Sequence, residues 1–406
     1  MASFLQLPTE LRLHIYDHVL ADHQHVRKKL QPSNAHFRLL HTCRQIAEEA
    51  GTTFRRYVSL LHEHQIHAFV LYAAPSLLSR IEWADVANDG RVFHSPKQDQ
   101  ADAAPDTPLS SLHIALGRMT SLRRLRVFPC RQGLPLNLQN TMSLHRSRRL
   151  GLSFERAMFP TRPARLAAYE LYLNPDTRVD IFDAVLPDSA VALRFSGEIV
   201  ARPEAHDAVR MPCLRHVTLH GVTGSYFDRH TVDRCFPDAH LESFTYALGH
   251  RLGFEIRNHH LESLAASYGP RLRKLVLLGC SRLSSTVITQ CLENLPALEY
   301  FALHLVTVDE LRSNFVNALP PRLATFKLQV INAWYAVALK DEERALCDSI
   351  ESVVLRRDMP PQHVCVCFRA QIMAEGAREQ RWARIAKDRL INLQLGPWED
   401  RMIENI

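Results

Sequence analysis

No two of the nine cysteines form a CxxC pair, and no Asn-x-Ser/Thr acceptor occurs in the 406 residues. An odd, dispersed set of thiols without glycosylation acceptors argues against a disulfide scaffold and predicts a reducing compartment. The start, MASFLQLPTELR, lacks the basic leader and long apolar core of a signal peptide. The longest uncharged apolar stretch, around His67–Ser79, falls well short of the roughly 20 residues a membrane span needs. These absences predict a cytoplasmic or nuclear protein with no membrane partner.

Catalytic fingerprints are missing too. Gly221–Ser225 (GVTGS) lacks the GK[ST] of a phosphate loop and the serine spacing of a GxSxG elbow. There is no GxGxxG. His62-Glu63-His64 with His67 fails the HExxH spacing, because Ile66 stands where the second histidine is required. No enzyme with its own catalytic centre and no cofactor is expected. The net charge of +6 is mild for this length and predicts no nucleic-acid partner.

What is present is a folded chain, 46% hydrophobic and 23% charged. It is too long for one ordinary core, so several domains or an extended array are expected. Near the N-terminus, Pro8 stands where a helix begins. At about 100° per residue, Leu11, Leu13, Ile15, Tyr16, Val19 and Leu20 cover an arc of roughly 200°, interrupted only by Arg12. His14, Asp17 and His18 fill the rest. A helix so widely apolar is either embedded or shared between its own core and a partner. A second helix is expected over Phe37–Ala50, with Gly51 as its C-terminal stop. Asn88–Pro108, rich in Asp, Pro and Gln, reads as linker.

A repeat follows. Leu214-x-x-Val217-x-Leu219 recurs as Leu241-x-x-Phe244-x-Tyr246, Leu272-x-x-Leu275-x-Leu277 and Leu298-x-x-Phe301-x-Leu303. Leu323-x-x-Phe326-x-Leu328 and Ile350-x-x-Val353-x-Leu355 complete it. The starts are 27, 31, 26, 25 and 27 residues apart. Leu122-x-x-Leu125-x-Val127, Leu166-x-x-Tyr169-x-Leu171 and Val191–Phe195 read as earlier units. Each unit predicts a short strand that cannot bury its apolar face alone, so neighbours stack into a solenoid. Val364–Phe368 reads as the last strand, and Arg369–Leu393 as one long basic helix with Trp382, Ile385, Ala386, Leu390 and Leu393 on a stripe.

Stacked in register, the polar strand positions make three columns. These are His216, Ser243, Lys274, Tyr300, Thr325, Ser352; then Thr218, Thr245, Val276, Ala302, Lys327, Val354; then His220, Ala247, Leu278, His304, Gln329, Arg356. Of these, His216, His220, Lys274, Tyr300, His304, Lys327, Gln329 and Arg356 are the candidates for holding a protein target. The columns are basic and carry no carboxylate, which suits an acidic or phosphorylated segment. His14 and His18 stand at i and i+4 without a third metal ligand, and read as a solvated face. His363, Cys365 and Cys367 share one strand face and read as packing beneath the terminal helix, so no metal is expected. Arg27-Lys28-Lys29 and Arg146–Arg149 read as solvated loops.

Two stretches carry a family resemblance. Leu5, Leu7-Pro8-x-Glu10-Leu11-Arg12, Ile15-Tyr16, Val19-Leu20, Leu39-Leu40, Thr42-Cys43-Arg44-Gln45-Ile46 and Glu49-Ala50 resemble the F-box, in the variant abundant in fungal genomes. The match covers about 50 residues at the N-terminus. It departs from the usual F-box in the long basic interval Ala21–His36 and in lacking a closing tryptophan segment. The repeats resemble the cysteine-containing leucine-rich repeats that often follow an F-box, best in Leu272–Leu303 with Cys280 after the strand. The resemblance implies an α/β chain with a small helical F-box-like module, a degenerate leucine-rich-repeat solenoid and a C-terminal helix. The expected limits are 1–75, a linker at 76–110, an array at 111–368 and a cap at 369–406. It further implies a non-catalytic substrate receptor of a cullin–RING (SCF-type) ubiquitin ligase. Leu7, Pro8, Leu11, Ile15 and Leu40 would then serve adaptor binding. The alternative is a leucine-rich-repeat scaffold unrelated to ubiquitin transfer.

Overall fold

The computed structural model describes residues 4–22, 32–88, 92–93, 107–108, 110–130, 154–200, 209–250, 252–307, 311, 313–333, 337 and 339–398. Arg27-Lys28-Lys29, Arg146–Arg149, most of Asn88–Pro108 and the middle of Ala21–His36 lie outside the described residues. The chain is mixed α/β and forms two compact units. The first is built on Met1–Ala190 with Gly197–Val209, the second on Val191–Ser196 with Arg210–Asp400.

In the first unit, helix α1 (Thr9–Ala21) packs on α2 (Arg44–Phe54), with a 3-10 turn at Ala35–His41 between them. Tyr16, Ala50 and Phe54 form the buried centre, and Phe4, Val19, Leu20, Phe37, Leu39, Leu40 and Ile46 close around it. The continuous helix expected over Phe37–Ala50 is instead two pieces. Cys43 is extended and starts α2, and Gly51 lies inside that helix rather than ending it. Four strands follow: β1 (Tyr57–Leu60), β2 (Trp83–Ala87), β3 (Arg124–Phe128) and β4 (Ala168–Leu171). They lie parallel and in chain order, with Ser59, Asp85, Arg126 and Glu170 side by side. Helices α3 (Glu63–Tyr72) and α4 (Leu112–Arg118) occupy the crossovers and pack together. The expected linker at 76–110 therefore holds a strand, because Trp83–Ala87 is paired on both edges. Strand β5 (Arg178–Asp180) lies parallel to Glu198–Val200.

One carboxylate organises the loop after β5. Glu155 is fully buried and accepts the backbone N–H groups of Phe182 (3.1 Å), Ala184 (2.8 Å) and Val185 (2.9 Å). Phe182 takes a left-handed conformation (φ 63°) that points its N–H inward. Burial nevertheless pushes the Glu155 carboxyl up to about 7, against the pull of those amides.

In the second unit the strands again follow chain order: β6 (Ala192–Val200, of which Gly197–Val200 counts with the first unit), β7 (His216–Thr223), β8 (Ser243–Ala247), β9 (Lys274–Cys280), β10 (Tyr300–Thr307), β11 (Thr325–Asn332), β12 (His363–Cys367) and β13 (Asn392–Leu395). Every ladder from β7 to β13 is parallel. Val217, Phe244, Leu275, Phe301, Phe326 and Val364 form one inward row, and Leu219, Tyr246, Leu277, Leu303, Leu328 and Val366 a second. All twelve are buried. Period-two alternation over half-covered strands produces this arrangement. Helices α5 (Asn258–Tyr268), α6 (Ser285–Glu293) and α7 (Lys340–Ser349) lie in the crossovers. Adjacent crossover segments pack on one another, α5 against α6 and α7 against the turn at Phe315–Ala318.

Two expectations are corrected here. Ile350–Leu355 is not a strand but a π-helical continuation of α7. Leu346, Cys347, Ile350 and Val354 are buried at helical spacing, so the 3.6-residue period wins over the LxxLxL reading. The terminal stretch is also not one helix. Gly376 (φ 56°) and Ala377 (φ 54°) break it, α8 (Arg378–Asp388) follows, and Leu390 (φ 57°) turns the chain into β13. Trp382 and Ala386 keep their expected burial, whereas Leu390 is 91% exposed.

Close stacking needs a glycine at one point. A Cβ on Gly269, after α5, would collide with the backbone carbonyl oxygen of Asn294, after α6. Gly269→Ala is expected to destabilise the second unit by about 1–3 kcal/mol, read from denaturant midpoints at unchanged slope. A cost within experimental error would show that the two crossovers separate freely.

Candidate functional site

Helix α1 divides its apolar residues between two faces. Arg12 and Tyr16 are its buried residues, with Val19 and Leu20 half-buried beside them. Arg12, which interrupts the apolar arc in sequence, is thus a core residue. Its guanidinium donates to Glu49 Oε2 (2.9 Å) and Oε1 (2.6 Å), and to the carbonyl oxygens of Leu5 and Leu7. Tyr16 adds a hydroxyl bond to Glu49 at 3.4 Å. The Arg12 hydrogen bonds hold the Glu49 carboxyl well below its ordinary range, at about 2. This clamp joins the chain before α1 to α2.

The flank of α1 about 100° round from the buried Arg12 and Tyr16 is open. Leu11 is 51% exposed and Ile15 37%, one turn apart, with His14 and His18 beside them. The two histidine Nε2 atoms are 3.0 Å apart. Pro8 and Leu5 are exposed and Leu7 is half-buried just before the helix. Of the residues expected to dock a partner, Pro8, Leu11 and Ile15 lie open. Leu40 differs: it is half-buried and packs against the module's own core, so it supports the surface rather than forming it.

In the second unit the three polar columns form as expected through β11. His216, Ser243, Lys274, Tyr300 and Thr325 stand side by side. Thr218, Thr245, Val276, Ala302 and Lys327 form the next row, and His220, Ala247, Leu278, His304 and Gln329 the third. Beyond β11 the expectation fails. The next places belong to His363, Cys365 and Cys367, then Asn392 and Gln394, not to Ser352, Val354 and Arg356. Arg356 follows the π-helix and donates to Glu351 at 2.9 Å, so it leaves the candidate face. Cys365 lies in the Lys327 row with its thiol 3.7 Å from Gln394 Oε1. Cys365 is itself buried and Cys367 half-buried, on the strand face that alternates with the inward Val364 and Val366. Among the described residues, no group of three or more His, Cys, Asp or Glu gathers as metal ligands would.

Among the column residues, Lys274 and Lys327 carry the charge. Lys274 Nζ lies 4.9 Å from the Tyr300 ring centre, and Lys327 Nζ lies 5.5 Å from both the Tyr300 and Trp398 rings. Burial lowers His216 and His304 below their ordinary range, and burial with Arg194 nearby lowers His220 to about 4. Near neutral pH these three histidines offer hydrogen bonds rather than charge. Trp398 was not expected on this face, because the sequence reading ended the strands before β13.

Sequence reasoning also missed a buried cluster in the first unit. Asp85 and Arg126 are fully buried, paired through Arg126 Nε and Asp85 Oδ1 at 2.6 Å. The Tyr57 hydroxyl (2.7 Å) and the Trp83 indole N–H (3.0 Å) also donate to Asp85. Arg126 lies 4.5 Å over the Trp83 ring and Arg124 4.8 Å from it. Burial opposes the Arg126 charge, but Asp85 outweighs it and holds the guanidinium above its ordinary value. Saturated with donors, Asp85 has the form of a structural anchor rather than a proton acceptor.

No protein-family model matches the chain, and no curated protein matches it.

Proposed function

We propose that this protein is a non-catalytic substrate-recognition subunit of a cullin–RING ubiquitin ligase. On this reading the α1–α2 module is F-box-like and docks the ligase adaptor through Leu7, Pro8, Leu11 and Ile15, with Leu40 behind them. The observation that carries it is the outward exposure of Leu11 and Ile15 on a helix whose own core is filled by Arg12 and Tyr16. Exposed apolar residues on a rigid, ion-paired helix form a surface that gains by being covered.

The strands from β7 to β13 are, in the same reading, a degenerate leucine-rich-repeat solenoid that presents the target. Parallel strands in chain order, with packed crossovers, support this. Lys274, Lys327, Tyr300 and the neutral His216, His220 and His304, with Gln329, would hold an acidic or phosphorylated segment of the target. Other subunits would perform the transfer, in the cytoplasm or nucleus. No helix among the described residues is long and apolar enough to cross a membrane.

Adaptor capture tests the proposal. Wild-type protein should retain the adaptor in a pull-down. Leu7→Ala/Pro8→Ala and Leu11→Asp/Ile15→Asp should each lose at least tenfold of it, the second with little change in melting temperature, because Leu11 and Ile15 are exposed. Wild type failing to capture the adaptor would sink the reading.

A further inference from the structure

A cavity of about 200 Å³ opens in the first unit between the helical module and strand β1. Its apolar wall is Phe37, Val58, Leu60, Phe69, Leu77 and Ile81. The polar side chains in the wall are committed elsewhere: Tyr57 donates to Asp85 at 2.7 Å, and Asn34 and Gln65 bond backbone. Asn34 bonds both the N–H and the C=O of Ser59 at 2.8 Å, and Gln65 Oε1 accepts from Leu61 (3.1 Å) and His62 (3.2 Å). These bonds tie the wall to the strand and to the start of α3.

Arg55 is the one charged residue in the lining. It follows α2 and is exposed, and its guanidinium rests over Gly51, 3.6 Å from where a Cβ would stand. It has no ion-pair or side-chain hydrogen-bond partner among the described residues, unlike Arg56, which faces Glu82 at 3.8 Å. An unpaired guanidinium beside a preformed apolar cavity matches an anionic head joined to an apolar body. A cavity of roughly 150 Å³ already holds a benzene ring, so this one accommodates an aromatic ring with a short chain.

We propose that this cavity binds a small amphipathic carboxylate, ring or alkyl body inside and carboxylate on Arg55. The site is separate from the α1 docking face, so adaptor capture and this proposal stand or fall independently.

Calorimetric titration of the full chain with 3-phenylpropionate and its uncharged amide tests it. The acid should bind one saturable site with a Kd on the order of 0.1–1 mM, as expected for about eleven heavy atoms. The amide should bind at least fivefold more weakly. Arg55→Gln, an exposed change, should erase that difference. Leu77→Trp, which fills the cavity, should abolish binding of both. No saturable binding to wild type, equal binding of acid and amide, or discrimination that survives Arg55→Gln would each overturn the proposal.

Discussion

Asp85→Ala is expected to lower the unfolding free energy by about 3–5 kcal/mol, the range for removing one member of a buried ion pair. The cost does not come from losing attraction alone. Arg126 is fully buried with Asp85 as its ion-pair partner, and truncation leaves its charge in a low-dielectric interior. The Tyr57 hydroxyl and Trp83 indole lose the same acceptor. By contrast, Arg215–Glu242, a pair about 40% exposed on both sides, should cost under 1 kcal/mol when broken. Asp85→Leu/Arg126→Met removes both charges and should recover the part of the loss that comes from the stranded Arg126 charge, while Tyr57 and Trp83 still lack their acceptor. Urea titrations of the three proteins provide the measurement. An Asp85→Ala cost below about 1 kcal/mol would mean that water reaches the pair.

Glu155→Ala should destabilise the first unit by about 3–5 kcal/mol, because three buried amides, those of Phe182, Ala184 and Val185, lose their acceptor. The wild-type residue should also leave a pH signature. Its carboxyl titrates at about 7 in the folded chain, against an ordinary value of 4.5. Between those values the folded state keeps a proton that the unfolded state has released. Stability therefore falls as pH rises through that window, by up to about 3 kcal/mol, and is level above pH 7 so far as this group is concerned. Glu155→Gln cannot ionise and should flatten that part of the curve. A wild-type profile that rises from pH 4.5 to 7, with Glu155→Gln parallel to it, would contradict the buried neutral acid.

Much of the second unit was legible as pattern. Alternation with period two decides which strand residues face inward, and near-constant spacing decides which strand residues become neighbours. The column from His216 to Thr325 therefore follows from counting. The count fails at Ile350, where apolar residues satisfy strand and helix periods at once. The acidic start of α7 and the run Leu346, Cys347, Ile350, Val354 let the helix continue. The end of the strand series shifts with it, so Trp398 joins the lysine face and Arg356 leaves it.

The first unit was less legible. Tyr57, Asp85 and Arg126 look like ordinary strand residues in isolation, and Arg126 is 41 positions from Asp85. Their pairing exists only because β1, β2 and β3 lie side by side. Arg12 likewise reads as a flaw in an apolar arc until Glu49, 37 residues on, meets it. The cavity beside Arg55 has no sequence signature, since a void belongs to no residue.

The sequence alone therefore determined period, spacing and the apolar breadth of the first helix. These are local quantities, set by backbone geometry and by which side chains water rejects. Tertiary structure alone decided which charges are buried together, which face of α1 stays open, and where the strands end. Those outcomes depend on desolvation and packing between residues far apart in the chain, and no local pattern encodes them.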